Sequence, residues 1–214
     1  MRLLAIDTAL GACQAVVTDG EAVLAVRSEF MHRGQQERLG PMVAEVMHEA
    51  GLAFADLDRI GVTAGPGSFT GLRVGLAFAK GLALARALPC VGVGSLDALA
   101  ASAPPGSSAV AAAIDGRRGQ VYLRLFPAGG PPGEAEALET ADAGRRLEAF
   151  AAAAGLVLVG SGAPLLAAFR PEAEVLPLAA PDPAALARLA AAAPEGAGPP
   201  RPIYLRAPDA RLPS

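Results

Sequence analysis

The sequence predicts a mixed α/β fold in two related lobes, on three observations. Short apolar or alternating runs bounded by glycine turns alternate with longer runs of helical period. A stretch rich in proline, glycine and serine, Pro104 to Ser108, interrupts the chain near its middle. The motif Ala5-Ile6-Asp7, followed by three residues and Gly11, returns 108 residues downstream as Ala113-Ile114-Asp115, three residues and Gly119. In both places an apolar strand ends on an aspartate, turns at a glycine and continues as a second strand. The lobes are therefore expected at residues 1–103 and 109–214, each with a mixed sheet.

Leu3 to Asp7, Ala12 to Asp19 and Ala22 to Phe30 read as three antiparallel strands, the last two joined by the hairpin dipeptide Asp19-Gly20. From Gln35 to Ala50, the residues Leu39, Met42, Val43, Val46 and Met47 recur on one face of a helix that stops at Gly51. A strand at Arg59 to Thr63, a loop at Gly65 to Gly67 and a helix from Phe69 to Leu88 follow, with Ser68 placed to cap the helix. Cys90 to Val93 reads as a buried strand, and Ser95 as the cap of the next helix. In the second lobe, strands at Leu156 to Val159 and Ala173 to Leu176 alternate with helices at Pro164 to Phe169 and Ala184 to Ala193. A linker-like run from Pro194 to Pro202 leads to a terminal strand at Ile203 to Arg206.

The 214 residues are 52% hydrophobic and only 18% charged, against about 25% charged in ordinary globular chains. Disorder is excluded, and the surplus apolar surface must be buried in a core or shown to a partner. With a net charge of −3 and Lys80 as the only lysine, no basic field exists to hold nucleic acid unaided. Arg117 with Arg118 and Arg145 with Arg146 read as solvated faces. Cys13 and Cys90 match no metal or CxxC spacing and are expected to be small core residues of a reduced, cytosolic protein. Asp7 arrives too soon after Met1 for a secretory signal, and the charge-free run from Phe150 to Phe169 is broken by glycines and Pro164. A cytoplasmic protein without a membrane span is expected.

An aspartate at a strand end beside a tight turn either holds a magnesium ion or water near a phosphate, or bonds the amides of its own turn. Asp7 with Thr8, and Asp115, are placed for both. Two α/β lobes around strand-Asp-turn-strand units are the pattern of the actin-like (ASKHA, ribonuclease H-like) ATPases, whose turns face a nucleotide between the lobes. No Walker A sequence accompanies them, since Lys80 is followed by Gly81. The run Gly65-Pro66-Gly67-Ser68-Phe69-Thr70-Gly71 fits neither the dinucleotide fingerprint nor the nucleophile elbow. In the helix that follows it, Gly71, Gly75 and Ala79 are spaced by four and leave one ridge bare. Leu72, Leu76 and Phe78 flank that ridge, while Arg73 and Lys80 share a polar face. So small a ridge suits the close approach of a partner helix, or of the chain's own sheet or first helix. His32 and His48, the only histidines, stand in neither HExxH nor HxxxH spacing.

Leu3-Leu4-Ala5-Ile6-Asp7-Thr8, the run Gly65 to Gly75, Ile114 to Tyr122 and Pro202-Ile203-Tyr204-Leu205-Arg206 together closely resemble the bacterial TsaB (YeaZ) family. The matches span nearly the whole chain in order, and GPGSFTGLR is the most specific of them. The resemblance implies the actin-like ATPase fold and a part in making N6-threonylcarbamoyladenosine at position 37 of tRNAs that read codons beginning with A. It implies a noncatalytic subunit that pairs with TsaD through N-terminal-lobe helices, works with the ATPase TsaE, meets tRNA only through the complex, and forms a homodimer alone. Leu39, Met42, Val43, Val46, Gly71, Leu72, Gly75, Phe78 and Ala79 are the interface residues expected on those helices. No catalytic or metal site of its own is expected, and ATP or ADP is expected, if anywhere, at the contact with TsaD. Where many relatives read His-Ser-Glu, this chain has Gln35-Gln36-Glu37. The alternatives are a stand-alone actin-like ATPase or kinase using Asp7 and Asp115, and a glycoprotease-type peptidase.

Overall fold

Strand β1 (Arg2–Asp7) pairs antiparallel with β2 (Ala12–Asp19) on one side and parallel with β4 (Arg59–Gly65) on the other. Adding β3 (Ala22–Phe30) and β5 (Cys90–Gly94) gives a five-stranded sheet of order β3-β2-β1-β4-β5. The second sheet, from β6 (Ala109–Arg117), β7 (Gln120–Phe126), β8 (Glu136–Glu139), β9 (Leu156–Val159) and β10 (Glu174–Leu176), runs β8-β7-β6-β9-β10. The two orders are the same with every index raised by five, and β6 meets β7 antiparallel and β9 parallel as β1 meets β2 and β4. The four-residue repeat in the sequence thus marks a duplicated topology.

This computed structural model describes residues 1–107, 109–150, 155–194 and 199–206. Ser108 of the mid-chain boundary, residues 151–154 of the charge-free run, 195–198 of the linker-like run and 207–214 of the second lobe lie outside them. Among the described residues no helix is long and apolar enough to cross a membrane.

Each sheet is followed through by three helices. Helices α1 (Gln35–Glu49), α2 (Phe69–Arg86) and α3 (Ser95–Ala100) occupy the same places in the first half as α4 (Thr140–Glu148), α5 (Ala163–Leu166, continued by a 3₁₀ turn to Phe169) and α6 (Pro183–Ala192) in the second. Strand β8 and helix α4 have no counterpart in the elements expected from sequence. Glu136–Glu139 reads EALE, helical in composition, and is extended because it hydrogen bonds to the free edge of β7. Ser95 is also corrected: the residue in the cap position of α3 is Gly94, and the Ser95 hydroxyl is buried without a partner among the described residues. Ile203 to Arg206 is not a strand, since among the described residues its backbone is hydrogen bonded to a sheet only at the Ile203 amide, which donates to Ala64 O at 2.7 Å.

One face of the first sheet packs Leu4, Ile6, Val17 and Val62 against Leu39, Met42, Val43 and Val46 of α1 and Leu76 and Ala79 of α2. Its other face, Leu3, Ala5, Val16 and Val91, is covered by Leu186, Ala187 and Ala190 of α6. The division at residue 109 therefore fails for the last helix. A sheet with two apolar faces needs cover on both, and α6 supplies it from the far end of the chain. Helix α3 lies between the lobes in turn, its Leu96 and Leu99 packing on Val110, Ala112 and Ile114 of the second sheet. Arg124 of β7 adds an ion pair to Asp97 of α3 at 2.7 Å, so side chains as well as the covalent chain join the lobes. Cys13 is in the first core and Cys90 at its margin; both thiols are free, and burial pushes each up to about 11.

Arg59, at the start of β4, secures α6. Its Nη1 donates to the carbonyls of Ala190, Ala191 and Ala193 at 3.1, 3.0 and 2.8 Å, at the helix end where such groups lack intrahelical partners. The arginine is 4% exposed. Arg59→Met keeps the stem and strands those carbonyls, and is expected to cost about 2–4 kcal/mol in urea unfolding. A loss under about 0.5 kcal/mol, the level of an ordinary surface substitution, contradicts the latch.

Candidate functional site

The turn after Asp7 is filled by the chain itself. Asp7 and Thr8 are fully buried, at 0% and 1% exposure. Asp7 Oδ1 accepts from the Ala9 amide of its own turn at 2.8 Å, and from the hydroxyl of Thr63 on the neighbouring strand β4. Asp7 Oδ2 is buried without a partner among the described residues, and burial raises the carboxyl to about 6. The Thr8 hydroxyl donates to Gly71 O at 2.7 Å. The Ser68 amide donates to Ala9 O at 2.7 Å, and the Gly11 amide to Ala179 O at 2.8 Å. The loop from Gly65 to Gly71 is thereby laid over the β1–β2 turn. A Cβ on Gly67 would lie 2.4 Å from Ala9 O, and one on Gly71 1.9 Å from Thr8 O.

Asp115 is partly exposed and equally committed. Its Oδ1 accepts from the Arg117 amide at 2.8 Å, and its Oδ2 meets the Arg117 guanidinium at 3.1 Å. Arg117 and Arg118 both have positive φ, 62° and 54°, in the hairpin that this carboxylate braces. The residues at the two turns do not fit a magnesium-bound phosphate as they are arranged. The Ala9 and Gly11 amides and the Thr8 hydroxyl proton are engaged within the protein, and Asp115 is paired with a cation. Of the two readings of these strand-end aspartates, the geometry is that of turn bonding.

The glycine ridge of α2 is resolved in the same way. Ser68 caps the helix, its Oγ accepting from the Gly71 amide at 3.3 Å. Gly71, Gly75 and Ala79 face the chain's own sheet: a Cβ on Gly75 would lie 2.6 Å from Thr8 Oγ1 and 3.4 Å from Val62. Leu39, Met42, Val43, Val46, Leu72 and Ala79 are each 0–1% exposed. Of the nine expected interface residues, Phe78 is half-buried and reaches the surface, and Leu39 lines a groove from beneath. The others are corrected to core. Their period records how closely α1 and α2 approach β1 and β4, and the small residues do for an internal strand what they were expected to do for a partner.

The surface above them is an open groove of about 530 Å³ between the start of α1 and the first half of α2. Gln36, Leu39, Phe69, Thr70, Arg73, Val74, Ala77 and Phe78 line it. Phe69 is 43% exposed, and the Arg73 guanidinium lies 3.8 Å above its ring, within cation–π range. The α1 residues that depart from the family pattern divide their roles. The Gln35 side chain turns inward and donates to Met31 O at 3.2 Å, whereas Gln36 is at the groove. Behind them Arg38 bridges Glu29 and Glu45 at 2.6 and 2.7 Å, bracing α1 on the edge strand and holding both carboxyls below the usual range. The signal for the groove was present in the sequence. Phe69, Arg73 and Ala77 form a second stripe spaced by four beside the glycine stripe, with an aromatic and a cation where a buried stripe would be uniformly small.

Two five-stranded mixed sheets of equal order, joined through their third helices and carrying matched strand-Asp-turn-strand units, define a protein of the actin-like ATPase fold. The (R)-2-hydroxyglutaryl-CoA dehydratase component A of Acidaminococcus fermentans, at 14% identity and a TM-score of 0.51 over 89% of this chain, shares that fold. A family model described as TsaD, tRNA N6-adenosine threonylcarbamoyltransferase, matches residues 26–159. The YeaZ structure from Pseudomonas aeruginosa is 30% identical, with a TM-score of 0.77 covering 95% of this chain and 99% of that one. The tRNA threonylcarbamoyladenosine biosynthesis protein TsaB of Escherichia coli is 41% identical over 124 residues, 57% of this chain and 53% of that protein. Its Bacillus subtilis counterpart is 34% identical over 126 residues, 59% and 55%. The match spans about half the length of these two curated relatives. The chain belongs to the TsaB (YeaZ) family.

Proposed function

We propose that this chain is a noncatalytic subunit in the biosynthesis of threonylcarbamoyladenosine in tRNA, a cytoplasmic scaffold that presents the groove between α1 and α2 to TsaD. The observation that carries the reading is that groove: aromatic and apolar side chains and a stacked arginine lie open on a lobe whose aspartate turn is occupied by its own loop. Aromatic and arginine side chains are the residue types that dominate binding energy at protein interfaces. TsaD carries the transfer of the threonylcarbamoyl group to adenosine 37, TsaE joins the pair, and tRNA is met through the complex. ATP or ADP belongs between the subunits rather than in this chain. In the absence of TsaD the same groove pairs two copies of this chain.

The test is reconstitution of tRNA threonylcarbamoylation with TsaD, TsaE and the adenylate-forming synthase, with and without this chain. Ala77→Arg places a charge and a long side chain in the groove from an exposed position. It is expected to leave the melting temperature of the isolated chain unchanged and to weaken TsaD binding at least about thirtyfold, with modification falling in step. Wild-type binding by Ala77→Arg removes the groove from the interface, and turnover of MgATP by the isolated chain overturns the noncatalytic reading.

A further inference from the structure

The segment 199–206 crosses from one lobe to the other without joining either sheet. On the first lobe Pro200 fills the space over Gly92, where a Cβ would lie 2.9 Å from Pro200 Cβ. The Ile203 amide donates to Ala64 O at 2.7 Å, and Ile203 O closes on Gly65, whose φ of +110° and missing side chain admit it. Leu205 joins the cluster between the lobes around Leu96, Leu99 and Ile114. On the second lobe Arg206 Nη1 donates to Gln120 Oε1 at 3.1 Å and approaches Gly116 O at 3.4 Å, at the β6–β7 hairpin. Between these anchors the ring of Tyr204 lies 5.7 Å from that of Phe69, tilted by 34°, and on Phe69 rests the Arg73 guanidinium.

We infer that residues 200–206 are a strap that positions the docking groove. Tyr204 fixes the Phe69 ring, the ring fixes Arg73, and Arg206 ties this column to the second lobe. Phe69 and Tyr204 are 43% and 44% exposed, too open for the core to hold their rotamers. An interface built on unheld side chains loses affinity to their ordering on binding. The stack does that ordering in advance, so Tyr204 and Arg206 contribute to binding as positioning residues, while Pro200 and Leu205 hold the segment to the core.

The inference rests on the groove being the TsaD docking face, and its test separates the two. Tyr204→Ala is expected to weaken TsaD binding about three- to tenfold, the range for loss of one aromatic pair. Tyr204→Phe restores it, since the ring makes the contact. Neither substitution is expected to move the melting temperature of the isolated chain, because a half-exposed ring contributes little to the core. A second measurement is independent of TsaD. The chain has no tryptophan and two tyrosines, Tyr122 and Tyr204, so in a Tyr122→Phe background the emission reports Tyr204 alone. Arg206→Ala is expected to lower its anisotropy as the strap loosens. Tyr204→Ala that binds like wild type, or that melts several degrees lower, overturns the strap and leaves the proposed function standing. A wild-type chain that does not bind TsaD removes the proposed function and the strap's role with it.

Discussion

Replacing Gly71 by alanine is expected to cost at least about 3 kcal/mol of stability, the upper end of what overpacking produces and a large fraction of a domain's total. The added Cβ would come 1.9 Å from Thr8 O and 3.0 Å from Thr8 C, both main-chain atoms of the β1–β2 turn. Neither side can move away cheaply. Thr8 Oγ1 is hydrogen bonded to Gly71 O, and the Ser68 amide to Ala9 O, so withdrawing α2 breaks both bonds and lifts Leu72 and Leu76 out of their packing. The control is on the same helix. A Cβ on Gly81 meets nothing within 4 Å, so Gly81→Ala is expected to stabilise by about 0.5–1 kcal/mol through helix propensity alone. Urea unfolding of the two variants reads the contrast, and equal stability of Gly71→Ala and wild type refutes the internal seating of α2. The same geometry makes Gly75→Arg a folding defect rather than a probe of pairing. Its Cβ would lie 2.6 Å from Thr8 Oγ1, and the variant loses the fold first.

Asp7→Asn is expected to stabilise the protein above pH 6 and to lose that advantage in acid. The Asp7 carboxyl is raised from 3.8 to about 6, chiefly by burial, against the opposing hydrogen bonds from Thr63 and Ala9. Above pH 6 the folded and unfolded chains both carry the charge, and folding must bury it. As the pH falls through 6 toward 3.8 the folded chain takes up a proton before the unfolded chain does, and Asp7 ceases to oppose folding. The full swing is about 3 kcal/mol, since each tenfold difference in proton affinity between the folded and unfolded chains is worth about 1.4 kcal/mol. Asparagine keeps an acceptor for Ala9 and Thr63 and carries no charge, but its amide meets the same partnerless space as Oδ2. A gain of about 1–3 kcal/mol at about pH 7.5 is therefore expected, shrinking by about pH 4.5. Glu29 and Glu45, whose carboxyls are lowered, titrate in wild type and variant alike and cancel in the difference. An Asp7→Asn effect that is the same at both pH values is incompatible with a buried ionised carboxylate. The substitution also bears on function: tRNA modification survives it if Asp7 only braces its turn, and is abolished if the carboxylate holds a magnesium nucleotide.

How far the sequence reached is clearest in α2 and in the second lobe. Ser68 as cap, the start of the helix at Phe69 and the strand before it were legible because each rests on a local rule: a hydroxyl before a helical period, a β-rich run closed by glycine. Strand β8 was not legible, because EALE becomes extended only by meeting the edge of β7. Helix α6 is legible as a helix, but the sheet it covers is not. Its small apolar residues say that one face is buried, and nothing local says against which sheet.

The same division holds for function. By itself the sequence determined the order of the elements in the first lobe, the two aspartate turns and the duplication they imply, and the stripe of small residues on α2. These follow from period, turn chemistry and capping, which act within a few residues. Only the tertiary structure decided that the stripe faces Thr8 and Val62, that the aspartates are bonded within their own turns, and that Phe69, Arg73 and Phe78 form the open groove instead. Small residues spaced by four permit any close neighbour, and whether that neighbour is a strand of the same chain or a helix of another is settled only when the sheet exists to occupy the place.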